Sequence, residues 1–178
     1  MIIPTQHPDL GIEQLTEADV PEHFAVIDRN REHLAPWLPW VPLVTTPRDV
    51  ARFIAVSRAA WQGRHELACC LRLHGAIVGG IGIVHADHEN ECVTLGYWLD
   101  QEQCGRGLMT AAVKAMTHWC LTDLGRHRVQ IQAAVDNVAS RRIPERLGFT
   151  QEGLLRQAAI VRGVRLDMVL YARLKSDP

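Results

Sequence analysis

The sequence lacks a continuous apolar run long enough to cross a membrane, because nowhere do about 18 apolar residues follow one another. The opening stretch Met1 to Leu10 contains two prolines, His7 and Asp9, and it lacks the apolar segment that a signal peptide needs. We therefore expect no membrane partner and a location in the cytoplasm.

A paired cysteine framework is also missing. The five cysteines fall at irregular spacing, and no two have the C-x-x-C spacing of a structural zinc site; they are Cys69, Cys70, Cys92, Cys104 and Cys120. The odd count argues against a set of disulfides and favours a reducing compartment.

The histidines are numerous but scattered, nine in all. His85 and His88 flank Asp87 in a short polar stretch, where a metal site or a polar hairpin turn would both fit. A turn is the more common use of such residues, so we predict no metal.

The chain has no excess of either charge, with a net charge of −1 and an isoelectric point near 6.7. It therefore has no electrostatic reason to bind nucleic acid. Its 178 residues, 47% of them hydrophobic, suit one globular domain that spans residues 1–178.

Helical periodicity and capping residues predict four helices, which cover about 17–31, 47–63, 107–121 and 137–147. Thr46 and Pro47 mark the start of the second helix, and Gly148 ends the fourth. Alternating or continuous apolar runs predict strands at 12–15, 67–73, 76–84, 92–99, 128–134, 149–155 and 165–174.

The central strands have the pattern of an antiparallel meander, with tight turns at His74-Gly75 and near Asp87 to Asn90. The third predicted helix crosses between the strands at 92–99 and 128–134, which favours a parallel pair there. The fold class is therefore mixed α+β.

Residues 33–42 contain three prolines and two tryptophans, Trp37 and Trp40, and cannot form regular helix. Two interpretations fit: the tryptophans cap one end of the core, or one of them lines a substrate cleft. We place His33, Trp37 and Trp40 among the candidate substrate-binding residues.

The strongest local signal is Cys104-Gly-Arg-Gly-Leu-Met-Thr110, which connects a strand to a helix. Unpaired backbone N–H groups and the helix dipole favour an anion at such a place, and glycine allows close approach. The turn alone would equally fit a connection without a ligand. Its spacing is neither that of a Walker A loop nor that of a dinucleotide fingerprint.

A second motif follows about thirty residues later: Asn137-x-x-Ser140, then Glu145-x-Leu147-Gly148-Phe149. Together the two motifs resemble the GNAT (Gcn5-related N-acetyltransferase) superfamily over nearly the whole chain. Residues 30–42, 95–99 and 157–174 further resemble the RimL/RimJ type, which acetylates the N-termini of ribosomal proteins.

The resemblance implies a GNAT fold: a central, mostly antiparallel twisted sheet, splayed between two parallel strands and flanked by helices. It implies acetyl-CoA as cofactor, direct acetyl transfer and a homodimer. Trp98 and Leu99 would pair with the pantetheine arm through their backbone. The other implied cofactor-binding residues are Gly105, Arg106, Gly107, Leu108, Met109, Thr110, Asn137, Ser140 and Arg142.

For catalysis, the resemblance implies Ser140 as proton donor to the leaving thiolate, while a backbone N–H near Leu99 polarises the carbonyl. Ser140 could instead only bond the backbone, and Asn137 is also a natural N-cap. Arg141, Arg142 and Arg146 either reach phosphate or form a solvated face. Cys104 raises a less favoured acetyl-cysteine route.

The sequence departs from some relatives at Ala159, where they carry a carboxylate proposed as the base. His33, His85, Glu66 and Glu91 stay open as alternatives. Pro144 inside the fourth predicted helix removes a backbone hydrogen bond, and we expect a kink or a shortened first turn.

Three functions remain open from the sequence. The first is acetylation of a protein N-terminus, as on a ribosomal protein. The second is acetylation of a small amine such as an aminoglycoside, polyamine or amino acid. The third is a non-catalytic module that binds acyl-CoA, which the alanine at position 159 motivates. An acidic cleft would favour a cationic small molecule, whereas an open groove would favour a peptide.

Overall fold

A computed structural model of the chain describes all residues from 1 to 178. It contains one eight-stranded sheet, with strands β1 Ile2–Pro4, β2 Leu10–Gln14, β3 Leu67–Leu73, β4 Ala76–Asp87, β5 Cys92–Leu99, β6 Arg128–Ala134, β7 Thr150–Val161 and β8 Val164–Leu174. The helices are α1 Val20–Arg29, α2 Arg31–Leu34, α3 Pro47–Gln62, α4 Leu108–Thr122 and α5 Val138–Arg146. None of them combines the length and apolar character that a membrane span requires.

The strands lie in the order β1-β2-β3-β4-β5-β6-β8-β7. All neighbours are antiparallel except β5 and β6, which are parallel and are connected through α4. This confirms the predicted parallel pair. Two parallel strands need a long crossover connection, and α4 supplies it here.

The sheet opens between the two parallel strands. Cys92 to Leu95 of β5 pair with Arg128 to Ile131 of β6, and the pairing stops there. Residues 96–99 of β5 therefore have no partner strand on the side of β6, although β4 continues to pair with them on the other side. The gap is the start of a cleft.

Helix α4 fills one face of the sheet with side chains from its first to its last turn. Its fully buried members include Ala112, Val113, Met116 and Cys120, which pack against strand residues such as Ile131. A smaller cluster joins α1 and α3 to the sheet through Val26, Ile54 and their neighbours. Continuous burial of this kind contributes most of the stability of a domain.

The starts of two helices follow the sequence closely. Thr46 forms a capping box with Asp49, and Pro47 occupies the first helical position of α3. Thr16 forms the same motif with Asp19 ahead of α1. Each box satisfies N–H groups that the first turn would otherwise leave without a partner.

Several elements differ from the prediction. Strand β2 is Leu10–Gln14 instead of 12–15, β4 continues to Asp87 instead of ending at 84, and α2 extends to Leu34, into the segment 33–42 that was expected to lie outside regular helix. The edge strand β1 was not predicted, because three residues ending in Pro4 give no periodic signal. The helix predicted over 17–31 is a 3₁₀ turn, Glu17–Asp19, followed by α1; Asn30 then ends α1, and its side chain donates to the carbonyl of Val26. The closing strands β7 and β8 extend further toward their shared turn than the apolar runs indicated.

Candidate active site

A cleft of about 540 Å³ opens where β5 and β6 separate. Four stretches of the chain line it: residues 33–38 after α1, the end of β5, the turn at 104–107 with the first residues of α4, and residues 136–146 around α5. The splayed sheet thus brings both sequence motifs to the same cavity.

The turn before α4 presents a row of free backbone donors. None of the N–H groups of residues 105–110 donates to an acceptor in the protein. Gly105 and Gly107 both have a φ of 78°, a conformation that L-residues with a Cβ rarely adopt. Leu108 and Met109 bury their side chains in the core, so they offer only their backbone to the cleft. Such a turn suits an anion of the size of a pyrophosphate.

The turn is tied to α1 by a buried carboxylate. Asp100 follows β5 and is 2% exposed, and it accepts from Arg29 at 3.1 Å (Nε) and 2.5 Å (Nη2). Burial is the largest single effect and acts to raise the pKa of Asp100, but the hydrogen bonds from Arg29, Asn30 and the N–H of Glu102, with the charge of Arg29, together hold the pKa below its usual range. Asn30 also accepts from the N–H of Gln101 at 2.9 Å. These contacts fix to α1 the start of the turn at residues 104–107, which we call the phosphate turn.

The N-terminus of α5 brings Asn137 and Ser140 to the cleft. The Asn137 side-chain oxygen accepts from the N–H of Ser140 at 3.1 Å, which confirms the predicted N-cap. The amide nitrogen of Asn137 has no protein partner and stays free to donate.

A pair of hydroxyls joins β5 to α5. Ser140 Oγ donates to the hydroxyl of Tyr97 at 3.2 Å, and the same Tyr97 hydroxyl donates to the Ser140 carbonyl at 3.1 Å. Burial raises the pKa of Tyr97 to about 12, with the hydrogen bond from Ser140 acting in the opposite direction. Tyr97 is therefore a neutral hydroxyl at any physiological pH.

A second cavity of about 200 Å³ lies on the other side of these hydroxyls. It shares five lining residues with the first: Trp37, Leu38, Tyr97, Asn137 and Ser140. Its other walls are β6 and the closing hairpin of β7 and β8, where Ala159 and Met168 line it. The two cavities meet at Tyr97 and Ser140, as a site for group transfer between two molecules requires.

Residues 9–150 match the acetyltransferase (GNAT) domain family. The chain belongs to the GNAT acetyltransferase family. It is an N-acetyltransferase, and its cofactor is acetyl-CoA.

Two curated relatives match most of the acetyltransferase. It is 30% identical to a putative ribosomal N-acetyltransferase, YdaF, of Bacillus subtilis, over 94% of this chain and 92% of the relative. It is 26% identical to the ribosomal-protein-serine acetyltransferase of Escherichia coli, over 93% and 92% of the two chains.

Among solved structures, RimL, a ribosomal L7/L12 α-N-protein acetyltransferase in complex with coenzyme A, superimposes with a TM-score of 0.93. It is 27% identical and is matched over 99% of this chain and all of its own. The microcin C7 self-immunity acetyltransferase MccE, in complex with acetyl-CoA and AMP, gives a TM-score of 0.89 at 26% identity, over 94% and 93% of the two chains.

Most of the residues predicted for the site line the larger cleft of the acetyltransferase: His33, Trp37, Trp98, Leu99, Gly105, Gly107, Leu108, Met109, Thr110, Asn137, Ser140 and Arg142. Arg106 does not line it, because its guanidinium turns to the side chain of Gln103. Trp40 lines neither cavity and packs against Trp98, with ring centroids 6.3 Å apart.

Trp98 points its indole away from the cleft, toward His23 and Trp40. A Cβ on Gly80 would approach the indole nitrogen of Trp98 to 2.6 Å, so glycine at that position leaves room for the ring. Trp98 thus faces the cleft from its backbone, while its ring belongs to the core beside α1.

The three arginines of α5 divide between two tasks. Arg142 and Arg146 line the larger cleft. Arg141 instead donates to the hydroxyl of Tyr171 at 3.0 Å and to the carbonyl of Val135 at 3.0 Å, which holds α5 on the sheet.

Of the four alternative bases, only His33 lies in the cleft. Its Nε2 is 3.9 Å from the sulfur of Cys104, whose pKa is raised by burial and by Asp100. A raised pKa reduces the thiolate fraction, which disfavours the acetyl-cysteine route. His88 contacts His65 and Arg126, and no group of three or more candidate ligands in the chain could hold a metal ion.

Sequence reasoning missed Tyr97 as a residue of the site. A strand alternates its side chains between two faces, so Leu95, Tyr97 and Leu99 share one face of β5. That alternation could have drawn attention to Tyr97. The hydrogen bond to Ser140 could not have been foreseen, since 43 residues separate the two.

Proposed function

We propose that this enzyme acetylates the N-terminal α-amine of a ribosomal protein. These two curated relatives and RimL, which are named for that reaction or for ribosomal substrates, match 93% or more of the chain and not only a shared cofactor domain. A match of this extent includes residues 33–42 and the closing hairpin, two of the segments that wall the smaller cavity.

The observation that carries the acceptor assignment is the lining of the smaller cavity. Its only ionisable residue is Tyr97, and no carboxylate is present. A polyamine or aminoglycoside carries several positive charges, and such ligands need acidic partners when they lose their water. A single amine at the end of a peptide does not, so the cavity favours a peptide N-terminus over a cationic small amine.

On the donor side, we assign the pyrophosphate to the N–H groups of residues 105–110 and the pantetheine arm to the unpaired edge of β5 at Trp98 and Leu99. Asn137 would donate its free amide nitrogen to the same arm. Arg142 would add charge near the phosphates, and Arg146 joins it on the next turn of α5. When bound, acetyl-CoA supplies an activated acetyl thioester.

We assign the chemistry to groups at the junction of the two cavities. The backbone N–H of Leu99 would polarise the acetyl carbonyl, and Ser140 would donate a proton on the donor side. A protein α-amine has a pKa near 8, so about a fifth of it is already neutral at physiological pH and a weak base suffices. Ala159 lines the smaller cavity, which we call the acceptor cavity, and its side chain supplies no base.

The test is mass spectrometry of candidate acceptors after incubation with enzyme and acetyl-CoA. Peptides with a free N-terminus should gain one acetyl group, and the same peptides with a blocked N-terminus should not. Purified ribosomes should show one acetylated protein. Spermidine, kanamycin and free amino acids serve as the competing class. Acetylation of a small amine with no modified peptide would contradict the proposal.

We further propose that the enzyme acts in the cytoplasm as a homodimer. The outer hairpin exposes three apolar side chains, Leu154, Ile160 and Val164, and association would bury such a patch. Light scattering coupled to gel filtration tests this: a mass of about one chain would contradict it.

A further inference from the structure

The Tyr97 hydroxyl lies between the larger cleft, which we call the donor cavity, and the smaller acceptor cavity. It accepts a hydrogen bond from Ser140 Oγ at 3.2 Å and donates one to the carbonyl of Ser140 at 3.1 Å. Both residues line both cavities. Ser140 therefore does not act alone, because its proton already points at a second hydroxyl.

Pro144 creates the place for this contact. In a regular helix the N–H of residue 144 would donate to the carbonyl of Ser140, but proline has no N–H. The helix continues past Pro144 to Arg146, and Tyr97 supplies the missing hydrogen bond from outside. A residue that weakens α5 as a helix thus fixes the Tyr97 hydroxyl at Ser140.

The acceptor cavity needs such a group. The acceptor nitrogen must lose a proton when it is acylated, and the leaving sulfur must gain one. Ala159 lines the acceptor cavity, no carboxylate does, and the only ionisable side chain in its lining is Tyr97. The hydroxyls of Tyr97 and Ser140 can serve both needs, by taking a proton from the nitrogen and giving one to the sulfur.

We propose that Tyr97 is a catalytic residue that relays the proton of the acceptor nitrogen to Ser140. The N–H bond breaks as Tyr97 Oη takes that proton, and the hydroxyl proton of Tyr97 moves to Ser140 Oγ. The original Ser140 proton leaves toward the donor cavity and forms the S–H bond of the product thiol. Both hydroxyls end protonated, so the relay consumes no other reactant.

The relay requires both hydroxyls to rotate: that of Tyr97 from the Ser140 carbonyl to Ser140 Oγ, and that of Ser140 from Tyr97 Oη to the donor cavity. The Tyr97 hydroxyl hydrogen now points to the Ser140 carbonyl, and Ser140 Oγ lies at nearly the same distance from Tyr97 Oη. The high pKa of Tyr97 makes a free phenolate unfavourable, so the transfers into and out of the hydroxyl occur together.

The first experiment is steady-state kinetics of Tyr97→Phe, which keeps the ring and removes the hydroxyl. We expect kcat to fall about 100-fold, the low end for loss of an acid–base group, with little change in the KM for acetyl-CoA. Calorimetry should show that the variant binds coenzyme A within about twofold of wild type. A tenfold loss of coenzyme A affinity would indicate a structural role and overturn the proposal.

The second experiment asks whether the hydroxyls act as a unit. Ser140→Ala should lower kcat by a similar factor. The double variant, which lacks both hydroxyls, should be no slower than the slower single variant, because removing either hydroxyl already interrupts the relay. Two losses that multiply would overturn the relay, as would a Tyr97→Phe variant that keeps kcat within about threefold.

Pro144→Ala tests the positioning of Tyr97. Alanine restores an N–H that competes for the Ser140 carbonyl, so we expect a higher melting temperature together with a severalfold lower kcat. Carbon-13 labelling of the tyrosine ring gives two signals, because the chain has only two tyrosines, and Tyr171→Phe assigns them. The Tyr97 signal should move in Pro144→Ala and in Ser140→Ala; an unchanged signal in both would overturn the proposed contact.

The relay rests on N-acetyl transfer and not on the ribosomal acceptor. The kinetics therefore use whichever acceptor the wild-type enzyme acetylates. Failure of the proposed acceptor appears as unmodified peptides with wild-type enzyme, whereas failure of the relay appears only in the variants.

Discussion

Gly107 is the residue at which the phosphate turn becomes a helix. Its φ of 78° is costly for any residue with a Cβ, by about 1–2 kcal/mol, although no protein atom lies within 4 Å of the place a Cβ would take. Gly107 lines the cleft, so we expect an added methyl group to hinder the close approach of a phosphate.

We predict that Gly107→Ala lowers the free energy of unfolding by about 1 kcal/mol and weakens coenzyme A binding by about tenfold, which corresponds to about 1.4 kcal/mol. Urea unfolding and calorimetry measure the two effects. Gly153→Ala is the matched control, since it has open space and no positive φ. Wild-type affinity in Gly107→Ala would contradict the assignment of the turn.

We expect the ionisation of buried His23 to make the stability of the domain depend on pH. It is 3% exposed and packs edge-on against Trp98. Burial lowers its pKa to about 4, against a smaller opposing effect of Asp19 and Glu22. Between pH 6.5 and pH 4 the unfolded chain binds a proton that the folded chain does not, so stability falls as the pH falls.

We predict a loss of about 3 kcal/mol from this residue between pH 6.5 and pH 4. His23→Phe keeps an aromatic ring beside Trp98 and should lack that part of the pH dependence. The measurement is urea unfolding at several pH values. His118→Gln, on the surface, is the control and should keep the wild-type profile. If His23→Phe and wild type lose stability in parallel, the assignment is wrong.

At the scale of elements, α1 holds the phosphate turn in place through one ion pair. Asp100 is buried and Arg29 is half exposed, so the pair joins the surface of α1 to the residue that follows β5. Loss of Arg29 would leave a buried carboxylate without its charged partner. Both the stability of the domain and the position of the turn depend on that contact.

We predict that Arg29→Gln destabilises the domain by about 1 kcal/mol, a value reduced for the exposure of Arg29 to solvent. It should also raise the KM for acetyl-CoA more than it lowers kcat, because we propose that the turn binds the donor and does no chemistry. Arg52→Gln breaks an exposed pair with Asp49 and should change neither quantity. An unaltered KM in Arg29→Gln would show that α1 does not position the turn.

For the whole molecule, the cleft unites four distant stretches of the chain, so a ligand that fills it should stabilise all of them together. We predict that coenzyme A at 100 times its dissociation constant adds about 2.7 kcal/mol. That corresponds to a rise in Tm of about 5–10 °C for a domain of this size.

Pantetheine is the control for this prediction, because it reaches the β5 edge but carries no pyrophosphate. Differential scanning calorimetry should show a much smaller shift with pantetheine than with coenzyme A. Equal shifts would mean that the turn at residues 105–110 contributes little to donor binding.

The sequence by itself predicted most of the elements and the residues that we propose for the donor half of the site. Local sequence is enough to predict the phosphate turn, because its glycines, the end of a strand and the start of a helix lie next to one another in the chain. The N-cap at Asn137 and the cap at Thr46 follow from the same kind of local rule, and the structure confirms both. The family resemblance then identified the cofactor.

Only the tertiary structure decided which side chains meet. Trp37 and Trp40 are three residues apart and looked equivalent in the sequence. The structure places Trp37 in the lining of the cleft and packs Trp40 against the core. It brought Tyr97 to Ser140 and joined Asp100 to Arg29. Such contacts depend on strand register and helix placement, which the packing of the whole chain sets. The acceptor end was unreadable from sequence for that reason, since its walls come from segments up to 131 residues apart, Trp37 and Met168.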